Sequence, residues 1–272
     1  MKKILGLFLI ILFLGISAYL IAQNKKTIHQ PSEKMLVVAS FYPLADFAQH
    51  VGGDFVTVQN ITPAGTEPHD FEPTPQNVVA LHQAKVFIYN GAGLEIWSDK
   101  VLSQLPDTVI VKASDGISLS ASSENASHFD PHVWMNPVLA QKEIENIKNG
   151  FIKADPKHRK EYEANALRFE SELSNLDHSF QTLLAYCEQK TIVTSHDAFE
   201  YLTKQYGLTV ESLSGLSPDS EPSPKKLAEI ADFVKKHSIK YIFFETLVSP
   251  QLSETIAHET GAQTIAFNPL EG

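Results

Sequence analysis

The sequence predicts an α/β fold of two similar lobes, each with a parallel sheet covered by helices, joined by one long helix. Three observations carry that reading. Between Pro156 and Cys187 the residues Tyr162, Ala166, Phe169, Leu173, Leu176, Phe180 and Leu183/Leu184 recur in steps of four and three, which puts them in one stripe on a helix face. On either side of that stretch, short β-branched runs alternate with amphipathic helical patterns, the grammar of a parallel sheet. The two halves also share a phrase, Glu72-Pro73-Thr74-Pro75 in the first and Glu221-Pro222-Ser223-Pro224 in the second, each ahead of a helical pattern that its second proline can start. A regular apolar stripe also suits a coiled-coil seam. Its mid-chain position between two similar halves favours a spine instead.

The spine has Pro156 in its first turn and Asp155 as a capping residue, and no glycine or proline interrupts it as far as Cys187. At about 1.5 Å per residue it makes a rod of roughly 45 Å. Before it come a strand (35–40), a helix (42–51) closed by Gly52-Gly53, and a strand (55–61). A polar loop (62–75) leads to a helix (76–84), a strand (86–89), a helix (94–105) and a strand (108–112). After it come a strand (191–194), a helix (198–206), a strand (208–212) and a polar loop (213–224). The chain continues as a helix (225–237), a strand (240–244), a helix (250–260) capped by Gly261, and a strand (263–267). The expected domains are a targeting segment (1–26), a linker (27–34), a first lobe (35–150), the spine (151–189) and a second lobe (190–272).

The 272 residues suffice for two modest cores, and 43% hydrophobic with 20% charged residues is ordinary for a globular protein. Net charge is −10, or −12 without Met1–Ala22 and its two lysines. An acidic surface of this kind disfavours nucleic acid and suits a cation. Lys2 and Lys3 precede an apolar run, Ile4–Ala22, that reads as a secretory signal or an uncleaved membrane anchor, so the body from about Ser32 is exported. Cys187, the one cysteine, excludes an intrachain disulfide and reads as a small packed residue.

Ligands of parallel α/β sheets sit beyond the carboxyl ends of the strands. Of eleven histidines, His69, His132 and His196 fall there, as do Glu245 and Glu271. His50, His82, His158, His178, His237 and His258 lie in helical patterns and read as structural; His128, in a Ser/Asn-rich loop, is a candidate accessory ligand. Asp70 or Glu72 could orient His69, Asp130 could orient His132, and Trp134 could wall the site. Three imidazoles and a carboxylate in one cleft suit Zn²⁺, whereas Mn²⁺ prefers more oxygen.

The phrases HDFEPTP, DPHVWMNP, TSHDAF and FNPLEG, in that order around a long helix, resemble the metal-binding solute-binding proteins of bacterial ABC importers, cluster A-I or family 9. The resemblance covers about Met35 to Gly272. It implies a metal held between two lobes by His69, His132, His196 and Glu271, with Glu245 or water as alternatives for the fourth position. Histidine at the third position resembles the zinc type, since many manganese-type members carry glutamate there. The chain departs from the pattern in three ways. It has no histidine-rich loop, since 118–129 holds only His128, and no lipid-bearing cysteine. It stops at Gly272 where members continue, as a fragment or a chain lacking a last helix would. That stop leaves Glu271 beside a free end, where it is expected to fray.

The expected function is high-affinity extracytoplasmic zinc capture and delivery to an ABC permease by a monomeric binding protein that is not an enzyme and has no nucleic-acid partner. Manganese binding is the alternative. An exported zinc hydrolase and a metal-stabilised surface adhesin are further rivals. Against the hydrolase, the chain has neither a His-Glu-x-x-His motif nor a Gly-x-Ser-x-Gly elbow. Affinity is expected to fall as pH drops through about 6.5, the ordinary imidazole pKa.

Overall fold

A computed structural model describes residues 34–122, 128–218, 220–247 and 249–272. The expected targeting segment, 1–26, lies outside them. Among the described residues no helix is long and apolar enough to cross a membrane.

The first lobe runs β1 (Met35–Ala39), α1 (Tyr42–Gly52), β2 (Val56–Asn60), α2 (Pro75–Gln83), β3 (Val86–Tyr89), α3 (Ser98–Leu102) and β4 (Val109–Lys112). The second lobe runs β5 (Thr191–Thr194), α6 (Glu200–Gln205), β6 (Thr209–Ser212), α7 (Pro224–Lys236), β7 (Tyr241–Phe244), α8 (Gln251–Thr260) and β8 (Gln263–Ala266). Between them lie α4 (Pro137–Ala154) and α5 (Arg159–Leu184). Both sheets are parallel, ordered β2-β1-β3-β4 and β6-β5-β7-β8. The same order twice is the internal repeat that the shared loop phrase signalled. Thr74 and Ser223 each accept from the backbone N–H three residues on, with Pro75 and Pro224 opening the helices. Gly261 closes α8 in the left-handed conformation, at φ 78°.

Strand alternation sets the layers. Val37, Ala39, Val86 and Ile88 face one core with α1, α4 and α5, while Val38 and Phe87 face the other with Leu81, Trp97 and Val101. In the second lobe Val193 and Ile242 pack beneath Ile230, Val234 and Ile256 of α7 and α8.

Several expectations change. The helix expected over 94–105 shrinks to Ser98–Leu102, because turns occupy the residues around it. Pro137–Ala154, over which the sequence pattern predicts no element, form the 18-residue α4. Its Ala140, Ile144, Ile147 and Phe151 are buried in steps of four and three, but polar neighbours dilute the pattern. Gly150 lets α4 press on β4, since an added Cβ would meet Val111 at 2.2 Å. The spine is a 3-10 turn (Pro156–His158) followed by 26 residues of α5, about 39 Å. Asp155 makes no capping bond; its carboxylate instead receives the Tyr162 hydroxyl at 3.0 Å and pairs with His158 Nδ1 at 2.5 Å. The stripe is buried at Tyr162, Ala166 and Leu173 and partly buried at Phe180 and Leu184, which pack on the core, but Leu176 (43% exposed) and Leu183 (70%) are open. Cys187 lies beyond the helix end and is half-buried.

Candidate metal centre

Four loops meet where the two sheets present their carboxyl ends. His69 rides the loop after β2, whose turns close through Thr66 N–H to Pro63 O at 3.0 Å and Asp70 N–H to Glu67 O at 3.3 Å. Phe71 anchors that loop by packing edge-on to Trp97. His132 precedes the 3-10 turn Val133–Met135 that leads into α4. His196 directly follows β5, with Thr194 Oγ1 donating to its carbonyl at 2.8 Å. Glu271 arrives on the segment after β8, where Leu270 adopts φ 67°, a left-handed conformation that costs a branched residue about 1 kcal/mol. Asn268 Oδ1 accepts from Leu270 N–H at 2.6 Å, and Trp134 Nε1 donates to Pro269 O at 2.9 Å. Those bonds hold Glu271 at 1% exposure, so the fraying expected of it is not seen.

The donor atoms converge. His132 Nε2 lies 3.1 Å from His69 Nε2, 3.3 Å from His196 Nε2 and 3.2 Å from Glu271 Oε1. Glu271 Oε1 is 3.9 Å from His69 Nε2 and 3.7 Å from His196 Nε2. One ligand atom from each of the four residues falls within 4.8 Å of all the others. A tetrahedral ion with bonds of about 2.0–2.2 Å separates its ligands by about 3.3–3.6 Å, and the separations above, from 3.1 to 3.9 Å, bracket that spacing.

Buried carboxylates fix the imidazoles from behind. Asp130 Oδ1 accepts from His132 Nδ1 at 2.7 Å and from its backbone N–H at 2.9 Å. Glu245 Oε2 pairs with His196 Nδ1 at 2.5 Å, while Oε1 accepts from Ser195 Oγ. With each Nδ1 proton so directed, the neutral rings turn the lone pair of Nε2 toward the centre. Glu245 thus stands behind His196, outside the four-atom cluster. Asp130 acts on His132 as the sequence suggested; at His69 the carboxylate behind the backbone is Glu67, whose Oε1 accepts from His69 N–H at 3.2 Å. Glu72 is exposed. Trp134 does wall the site, its ring 5.2 Å from that of His132. His128 is exposed at the cleft mouth, which His69 also lines.

Electrostatics divide the ligands. Burial opposes protonation of His132 and His196, but Asp130 and Glu271 raise the first to about 9, and Glu245 and Glu271 raise the second to about 10. Among the described residues no carboxylate hydrogen bond to the His69 ring is seen, and burial, with His132 beside it, outweighs the pull of Glu271 and lowers it to about 3. Glu271 is held well below the ordinary carboxylate range: burial pushes it up, but His132 and His196 outweigh that. Burial and Glu271 raise Glu67 to about 7. Without a cation, protons on His132 and His196 offset the carboxylates that face them.

Residues 37–272 match the family described as ZnuA, the periplasmic component A of a zinc-uptake complex. The chain belongs to that family. It is 38% identical over 287 residues to the high-affinity zinc uptake system protein ZnuA of Bacillus subtilis (strain 168), covering 100% of this chain and 90% of that one. Identity to the zinc-binding lipoprotein AdcA of Streptococcus pneumoniae (strain ATCC BAA-255 / R6) is 37% over 256 residues, 89% of this chain but only 51% of that longer protein. The solved laminin-binding protein Lmb of Streptococcus agalactiae, described as a bifunctional adhesin and metal transporter, superimposes with a TM-score of 0.83 at 38% identity, covering 88% of this chain and 90% of that one. Membership makes this an extracytoplasmic binding component of an ABC-type zinc-uptake system, not an enzyme.

Proposed function

We propose that this chain captures Zn²⁺ outside the cytoplasmic membrane and delivers it to an ABC permease, with His69, His132, His196 and Glu271 as the four ligands. The convergence of their donor atoms at tetrahedral spacing carries the reading. A single carboxylate oxygen among three nitrogens is too nitrogen-rich for Mn²⁺. Asp130 and Glu245 orient the rings and leave the ion to the other four. The apolar run Ile4–Ala22 either is removed on export or tethers the chain at the outer face of that membrane. Elemental analysis of metal-stripped protein offered zinc and manganese together tests this. One zinc per chain is expected, lost in His132→Ala; bound manganese or no metal would overturn the assignment.

The likeness to the laminin-binding Lmb favours adhesion as a second reading. Binding to immobilised laminin that persists in His69→Ala would separate adhesion from metal capture.

A further inference from the structure

A hydroxyl of the second lobe grips the first lobe close behind the metal centre. Tyr201 belongs to α6 of the second lobe and is 5% exposed. Its Oη donates to the backbone carbonyl of Asp130 at 2.9 Å and accepts from the backbone N–H of Ser120 at 2.9 Å. Asp130 N–H in turn donates to Ser120 O at 2.9 Å. The three bonds form a closed ring in which a second-lobe side chain grips two antiparallel stretches of the first lobe. Asp130 is also the residue whose carboxylate takes both N–H groups of His132. Tyr201 is tied again beside this ring, because Asn136 Nδ2, at the start of α4, donates to its carbonyl at 3.1 Å.

We propose that Tyr201 is a positioning residue for zinc retention: it locks the second lobe onto the Ser120–Asp130 neck and thereby holds His132 at the ion. The inference rests on the zinc-capture reading above. His132 has the shortest distances to the other three donors, so its place sets the size of the cluster. Its ring is fixed by Asp130, and the Asp130 backbone is fixed across the cleft by Tyr201. Zinc leaves only when the lobes part, and parting them breaks the Tyr201 ring together with the Trp134–Pro269 bond. The hydroxyl makes its bonds only while the lobes are closed. Capture from an open cleft does not need it, so its loss falls on release and not on association.

The variant Tyr201→Phe keeps the ring and removes only the oxygen. Zinc dissociation is followed by transfer to excess chelator, and association by stopped flow of zinc into stripped protein. Dissociation is expected to speed up about 5- to 30-fold, the effect of one or two lost buried hydrogen bonds, with association unchanged within about twofold. In hydrogen exchange, the Ser120 amide of the zinc-loaded protein should lose protection in the variant, while the Asp130 amide, bonded to Ser120 O, keeps it. A wild-type dissociation rate in Tyr201→Phe would overturn the proposal. So would a faster rate with the protection of the Ser120 amide unchanged, which marks a route that does not pass through the Tyr201 ring. Failure of the wild type to bind stoichiometric zinc would instead overturn the capture reading.

Discussion

Zinc has to displace protons, and the structure fixes how many. With His132 held near pKa 9 and His196 near 10, both Nε2 atoms carry protons in the closed, metal-free cluster at pH 7.5, whereas His69, near 3, does not. Binding at pH 7.5 is therefore expected to release about two protons per zinc, plus about a quarter of one if Glu67 ionises when the ion neutralises Glu271. Three unperturbed imidazoles at about 6.5 would release only about 0.3. The bound protons oppose zinc at pH 7.5 by about 2 and about 3 kcal/mol, at 1.36 kcal/mol per unit. Log affinity should climb by about two per pH unit between pH 7 and 9 and level off above 10, so the window lies well above the ordinary histidine range that the sequence suggested. Calorimetric titration in phosphate and in Tris gives the proton count from the difference in heat. Fewer than about half a proton per zinc would refute the claim that Asp130, Glu245 and Glu271 keep these rings protonated.

Other expectations follow from particular residues. Glu245→Gln removes the carboxylate behind His196 and should weaken zinc about 10- to 100-fold while lowering the proton release; fluorescent-chelator competition measures the first. Glu143 is fully buried, neither carboxylate oxygen has a hydrogen-bond partner, and burial with Glu95 nearby raises its pKa well above the usual value. The folded state thus holds a proton that the unfolded chain gives up above about 4.3, so stability falls as pH rises from there through the raised pKa. Glu143→Gln should flatten that fall and raise the melting temperature at pH 8, which a pH series of thermal melts would show. On α5, Leu173→Ala should cost about 2–3 kcal/mol in urea unfolding, and Leu183→Ala, at 70% exposure, no more than about 0.5. A thousandfold excess of zinc over its Kd should add about 4 kcal/mol of stability, lost in Glu271→Ala.

The repeated βα grammar, the paired proline phrases and the long α5 were legible because each depends on local pattern: period two or 3.6, a capping Thr74 or Ser223, a proline at the first turn. Residue type and place relative to strand ends likewise singled out His69, His132 and His196 and left Glu245 and Glu271 as the candidate carboxylates, because parallel strands deliver their following loops to one edge; the choice of Glu271 came from the family resemblance. The extent of α3, the existence of α4 and the exposure of Leu176 and Leu183 depended on which faces find a neighbour, and that is decided across the fold. Glu245 shows the division most clearly. Its position past β7 fitted either a ligand or a support, and only the 2.5 Å approach to His196 Nδ1 assigns it the second. Tyr201 and Glu67 carry no motif at all; their roles arise from partners 71 and 81 residues away in one case and from burial beside Glu271 in the other. The proton load of the site is of the same kind. The sequence determined which groups titrate, and the tertiary structure decided where, because desolvation and opposed charges act through space between residues the chain keeps far apart.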